Sequence, residues 1–167
     1  MDFTSRVSQT LHEEHRATVA LMERLERLLA RHRRGNPPPS GEREVTQLLS
    51  DLATSLETEV QRHFDFEEKQ LFAYLNAMGD EAIGAHLTDE HAAIRPLGTR
   101  VAALGREAIA QGFDDAKWSE FRQLGQELSE RLLAHVQKEE MALLPVLEGS
   151  MDPDTDARLY EEYVATA

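Results

Sequence analysis

Two segments of this chain carry the same set of metal-ligating side chains. His63 and Glu67 stand four residues apart with Glu68 behind them, and the pattern returns 72 positions later as His135, Glu139 and Glu140. Residues at i and i+4 of a helix lie one above the other on a single face. A buried carboxylate without a partner costs several kcal/mol. Two such pairs turned into a core therefore call for positive charge, and bound cations supply it. Imidazole with carboxylate suits iron first, with manganese or zinc less favoured.

The remaining composition removes other chemistries. Cysteine is absent, which excludes disulfides, thiolate nucleophiles and cysteine-held zinc or iron–sulfur clusters. A formal net charge of -13 repels phosphate backbones, so nucleic acid is not an expected partner. There is no Gly-rich phosphate loop and no Gly-x-Ser-x-Gly elbow. No apolar run approaches the ~18 residues of a membrane span. The first residues show no basic stretch followed by an apolar one, so neither a signal peptide nor a membrane is expected, and the cytoplasm is the default compartment. Function must be read from seven histidines, at positions 12, 15, 32, 63, 86, 91 and 135, and the glutamates beside them.

Helical periodicity places these residues. Residues from about 4 to 34 form a first helix, with Val7, Leu11, His15, Val19, Met22, Leu25 and Leu29 on one stripe and Thr4 or Ser5 as its cap. A Pro/Gly-rich connection comes next. The second helix, about 42 to 77, aligns Val45, Leu49, Leu52, Leu56, His63, Glu67, Leu71 and Tyr74, with Glu59 or Val60 filling one gap. Gly79-Asp80 breaks the chain, and Asp80 can cap a third helix running to Gln111. Its stripe is Ile83, Leu87, His91, Ile94, Leu97, Val101, Leu104 and Ala108, with a kink expected at Pro96. The fourth helix, capped by Asp114 or Asp115, aligns Trp118, Phe121, Gly125, Leu128, Leu132, His135, Glu139 and Ala142, and Pro145 limits it. Asp152-Pro153 starts a short fifth helix carrying Leu159, Tyr160 and Tyr163.

The fold class expected is all-α: an antiparallel up-down-up-down four-helix bundle over residues 1–150, with a C-terminal helix, 151–167, packed on it. At about 1.5 Å per residue, His15, Glu67, His91 and Glu139 fall roughly 10 to 16 Å from one end of the bundle. Six residues from four helices then meet at one level: His15, His63, Glu67, His91, His135 and Glu139. The two glutamates can bridge two cations, each taking two histidines. His86 rivals His91, but five residues turn about 140°, and His91 fits the stripe. His12, one turn before His15, reads as a flank or surface residue, with support of the site as the alternative. His32 suits the helix C-terminus. Glu68 and Glu140 read as solvated.

In this order the motifs resemble the hemerythrin-like, HHE cation-binding family: His15, then His63-x-x-x-Glu67, then Glu90-His91, then His135-x-x-x-Glu139. The resemblance spans positions 15 to 139. It implies two iron ions with an oxo or hydroxo bridge, in a bundle that binds O2, NO or peroxide. Oxygen-carrying hemerythrins have His-x-x-x-His on the third helix and His-x-x-x-x-Asp on the fourth. This chain departs from both, and looks more like iron-centre repair proteins and an iron-sensing ubiquitin ligase subunit. The functions implied are binding or sensing of a small ligand; a di-iron oxidoreductase acting on NO or peroxide; or iron storage and iron-centre repair.

Overall fold

The computed structural model describes residues 2–167. The described residues form five helices: α1 (Arg6–Arg31), α2 (residues 43–77), α3 (Ala82–Gln111), α4 (residues 115–150) and α5 (Pro153–Ala165). Among the described residues there is no strand, and no helix is long and apolar enough to cross a membrane.

Local chemistry sets the helix ends. Ser5 caps α1 by accepting from the Ser8 N–H, and Asp114 caps α4 by accepting from Lys117 N at 2.7 Å. At the far end of α1, the Arg122 guanidinium donates to the otherwise unpaired carbonyls of Leu29 and His32. Gly112, at φ 76°, ends α3. Asp80 supplies no cap; α3 starts after Glu81 without a side-chain hydrogen bond.

Two helices depart from α-helical winding. Within α2, Ser55–Glu59 and Glu67–Leu71 are π-helical turns, and within α4 so is Glu139–Leu143. The N–H groups of Val60, Phe72 and Leu144 bond carbonyls five residues back, on Ser55, Glu67 and Glu139. Each turn holds an extra residue and rotates the helix beyond it. This corrects two expected core positions. Leu75 rather than Tyr74 faces the core, and Leu143 replaces Ala142, which is exposed; of Glu59 and Val60, the two residues that could fill the gap in α2, Val60 is the buried one. Nor does Pro145 end α4. It sits in the first turn of the α-helical segment Leu144–Ser150, where a missing N–H is tolerated.

Helix α1 packs on α2 and α4, and α3 packs on the same two. The α2–α3 contact is close because α3 presents glycines there. A Cβ on Gly84 would lie 2.9 Å from Phe72 Cβ, one on Gly98 3.5 Å from Leu56 Cδ2, and one on Gly105 3.6 Å from Leu49 Cδ2. These positions share a seven-residue row, and His91 occupies the row between Gly84 and Gly98.

The apolar interior is divided in two. One cluster holds Leu11, Phe66, Leu71, Leu87 and Leu143, among others; the second holds Met22, Phe64, Ile94 and Leu132. On α1 and α3 the chain leaves the first cluster for the second, and on α2 and α4 it runs the other way. Every one of these four helices therefore crosses the boundary between the clusters, and a polar layer lies there.

Candidate metal centre

The polar layer is made of the six stripe residues. His15, His63, Glu67, His91, His135 and Glu139 are all buried, with both glutamates 0% exposed. Glu139 Oε2 lies 2.6 Å from His15 Nε2 and 3.4 Å from His63 Nε2, while its Oε1 lies 2.5 Å from His135 Nε2 and 3.7 Å from His91 Nε2. Glu67 Oε1 lies 3.2 Å from His63 Nε2 and 3.4 Å from His91 Nε2. The Nε2 atoms of His91 and His135 approach to 3.1 Å. Their donor atoms form two groups: Glu67, His91, His135 and Glu139, and separately His15, His63 and Glu139. His86 lies outside both, exposed, 3.4 Å from Glu90.

Four further carboxylates hold the outer nitrogens of the rings. Glu14 faces His63 Nδ1 at 3.1 Å, Glu68 faces His91 Nδ1 at 3.1 Å, Glu90 faces His135 Nδ1 at 2.9 Å, and Glu140 faces His15 Nδ1 at 2.6 Å. The contacts run in a ring, with each helix lending a carboxylate to the histidine of the next: α1 to α2, α2 to α3, α3 to α4, α4 to α1. Such partners fix the tautomer and aim Nε2 inward. The expectation that Glu68 and Glu140 are solvated is thereby corrected; their side chains are only 28% and 25% exposed. Each of the four is itself anchored. Glu68 takes Arg95 at 2.6 Å, Glu140 takes His12 at 2.9 Å, Glu90 takes Lys138, and Glu14 takes the Tyr163 hydroxyl. Burial pushes these four carboxyls up, but the hydrogen bonds and neighbouring charge outweigh it and hold them below the usual range. The signal for this outer set was present in the sequence as doublets: Glu14-His15, Glu90-His91, Glu67-Glu68 and Glu139-Glu140.

Aromatic rings orient the layer further. Phe64 stacks on His91 with centroids 3.8 Å apart and planes 10° off parallel. On the α1–α2 side a cleft of about 630 Å³ reaches inward to His15, His63, His135 and Glu139. Leu21, Val60, Phe64, Leu132 and Val136 are among its walls.

The donor chemistry fits cations. Both oxygens of Glu67 and Oε1 of Glu139 are buried without a hydrogen-bond donor. Native structures rarely leave such atoms orphaned unless something else satisfies them. Inward-aimed imidazole nitrogens around unsatisfied carboxylates are a complete nitrogen–oxygen ligand set.

Comparison with known families agrees. No individual curated protein matches the chain. The hemerythrin HHE cation-binding domain matches residues 6–147, and again 85–163. The second match opens in α3, where the Glu-His doublet recurs. The first spans most of the sequence, and the chain belongs to the hemerythrin HHE cation-binding domain family.

Proposed function

We propose that this chain is a non-haem di-iron protein that binds or senses O2, NO or peroxide. The six ligands are His91, His135 and Glu67 on one side, His15 and His63 on the other, with Glu139 common to both. The up-down-up-down order of the four long helices belongs to this reading, since it brings the six to one level. The observation that carries it is the Glu67 carboxylate, wholly buried and without a donor, beside imidazoles whose free nitrogens point at it. Iron, when bound, supplies redox electrons and an open coordination position.

The protein's own groups do the rest. Glu139 and Glu67 offset the charge of two cations in a dry layer. Glu14, Glu68, Glu90 and Glu140 hold the rings in register by accepting at each Nδ1, so that Nε2 is the nitrogen turned toward the interior. The apolar walls of the cleft admit a small ligand and limit water on the His15–His63 side.

Metal analysis with an optical spectrum tests this. Iron near two equivalents, with near-ultraviolet charge-transfer bands that change on adding O2 or NO, is the expected result. Less than one equivalent after growth in iron-rich medium defeats the proposal. A second reading, an oxidoreductase acting on NO or peroxide, is favoured by the cleft, which gives a substrate a way in and out. Steady turnover that vanishes in Glu67→Ala while the bundle stays folded separates turnover from binding.

A further inference from the structure

Three of the four outer carboxylates are anchored from within the long helices, by His12 on α1, Arg95 on α3 and Lys138 on α4. Glu14 is different. Its partner is Tyr163 on α5, whose hydroxyl donates to Glu14 Oε2 at 2.8 Å. Glu14 in turn holds His63 Nδ1 at 3.1 Å. Tyr163 is fixed in place on every side. Its ring stacks on Phe66 at 4.2 Å, the Arg62 guanidinium lies over it at 4.0 Å, and Arg62 also donates to the Tyr163 carbonyl at 2.7 Å. The ring is buried, at 2% exposure. The near end of α5 is tied as well: Asp156 accepts from the N–H groups of Arg6 and Val7 and from the Ser5 hydroxyl. Both Glu14 and His63 line the cleft, so this chain of contacts ends on the side a ligand reaches.

We infer that Tyr163 is a positioning residue for His63, acting through Glu14, so that the C-terminal helix sets how firmly the cleft-side metal is held. The inference rests on the di-iron reading above and adds a control that reading does not contain. Burial and the Glu14 carboxylate both raise the Tyr163 phenol, which keeps its proton available to Glu14. Losing an outer partner of a ligating histidine typically weakens metal binding by about 10- to 100-fold. Here the loss falls on one metal of the two.

Two measurements on Tyr163→Phe test it. Phenylalanine keeps the stack on Phe66 and removes only the donor. In 15N-histidine NMR spectra of the metal-free protein, the ring signals of His63 move and those of His91 and His135 stay. In chelator removal of ferrous iron, one of two phases speeds up by about tenfold or more and the other is unchanged. Glu14→Ala, which removes the acceptor that links Tyr163 to His63, gives the same pattern. Lys138→Met, acting at Glu90, leaves the His63 signals in place and moves those of His135. The inference is overturned if the His63 signals do not move, or if all four histidines move and both phases accelerate alike. A protein that takes up no iron defeats the di-iron reading instead, and the NMR comparison then decides the positioning role alone.

Discussion

Glu139 approaches all four site imidazoles through Nε2, whereas Glu67 approaches only His63 and His91. The two carboxylates are therefore unequal. Glu139→Ala is expected to abolish uptake of both metals, and Glu67→Ala to leave one, as read by metal content of the folded protein. Protons compete for the same nitrogens. Burial lowers the His15, His63 and His91 imidazoles, but carboxylate hydrogen bonds and charge outweigh it and raise all three, His91 to about 9. In the metal-free protein their stabilisation is complete below the unfolded value of ~6.5 and is lost as pH rises through the folded values. Burial raises Glu139, yet the four imidazoles gathered around it, His135 foremost, hold it well below the carboxylate range, so its contribution is lost only as pH falls. The metal-free Tm is thus expected to drop as pH rises from about 6.5 to 9, and the metal-loaded Tm to hold. Metal binding releases protons in that window, and calorimetry in buffers of different ionisation enthalpy measures them; binding without proton release counts against the ligand set. The stripe residues were legible because burial and helical period coincide at them. The outer glutamates were not, because a half-buried residue one step off the stripe reads as a solvated flank. Only their doublets betray them.

At the scale of the helix, the π turns explain where periodic reading fails. A period of 3.6 has no place for an extra residue, so it assigns the core to Tyr74 and Ala142, each one position too early. Two of the three turns begin at Glu67 and Glu139. The wide turn starts at each buried carboxylate, and the residues beyond are rephased so that Leu71, Leu75, Leu143 and Leu147 return to the apolar cluster. Deleting Met141, which is 72% exposed, would close the π turn into an α-helical one and leave Leu143, Leu144 and Leu147 facing the core, because the turn's extra residue is what is removed. A stability change within about 1 kcal/mol is therefore expected in denaturant unfolding. Deleting exposed Glu130, in the regular α-helical part of α4, has no extra residue to remove and turns neighbours such as Leu132 off the core face, at an expected cost of more than about 3 kcal/mol. The glycines of the bundle give a second, opposed pair. Gly84→Ala drives a Cβ to 2.9 Å from Phe72 Cβ, an atom with no freedom to move aside, and should cost about 1–3 kcal/mol. Gly125→Ala meets Leu25 at an ordinary 3.7 Å and should gain about 0.5–1 kcal/mol from helix propensity. Equal effects from the two would show that close approach of α2 and α3 is not what Gly84 serves.

The whole molecule is two similar halves that differ in how tightly they close. The His63 and Glu67 pair recurs 72 residues later as His135 and Glu139, and Glu14-His15 recurs as Glu90-His91, so α1–α2 and α3–α4 each contribute the same four functional groups. Their packing is not the same. Helices α3 and α4 lie together along their length, while α1 and α2 part to leave the cleft of about 630 Å³. The cleft therefore opens toward the His15–His63 side of the polar layer. The sequence carried the repeat but not this asymmetry, because an opening depends on how far apart two helices settle, and no single stripe records that distance. Thr18, half-buried and three residues beyond His15, lines the cleft without touching the donor atoms. Replacing it with tryptophan should narrow the way in while leaving the ring of carboxylates alone. In stopped-flow mixing of the ferrous protein with NO, Thr18→Trp is expected to slow association about tenfold, with metal content and Tm unchanged. An unchanged association rate at full metal content would mean that small ligands reach the centre by another route, and the cleft would lose its part in the functional reading.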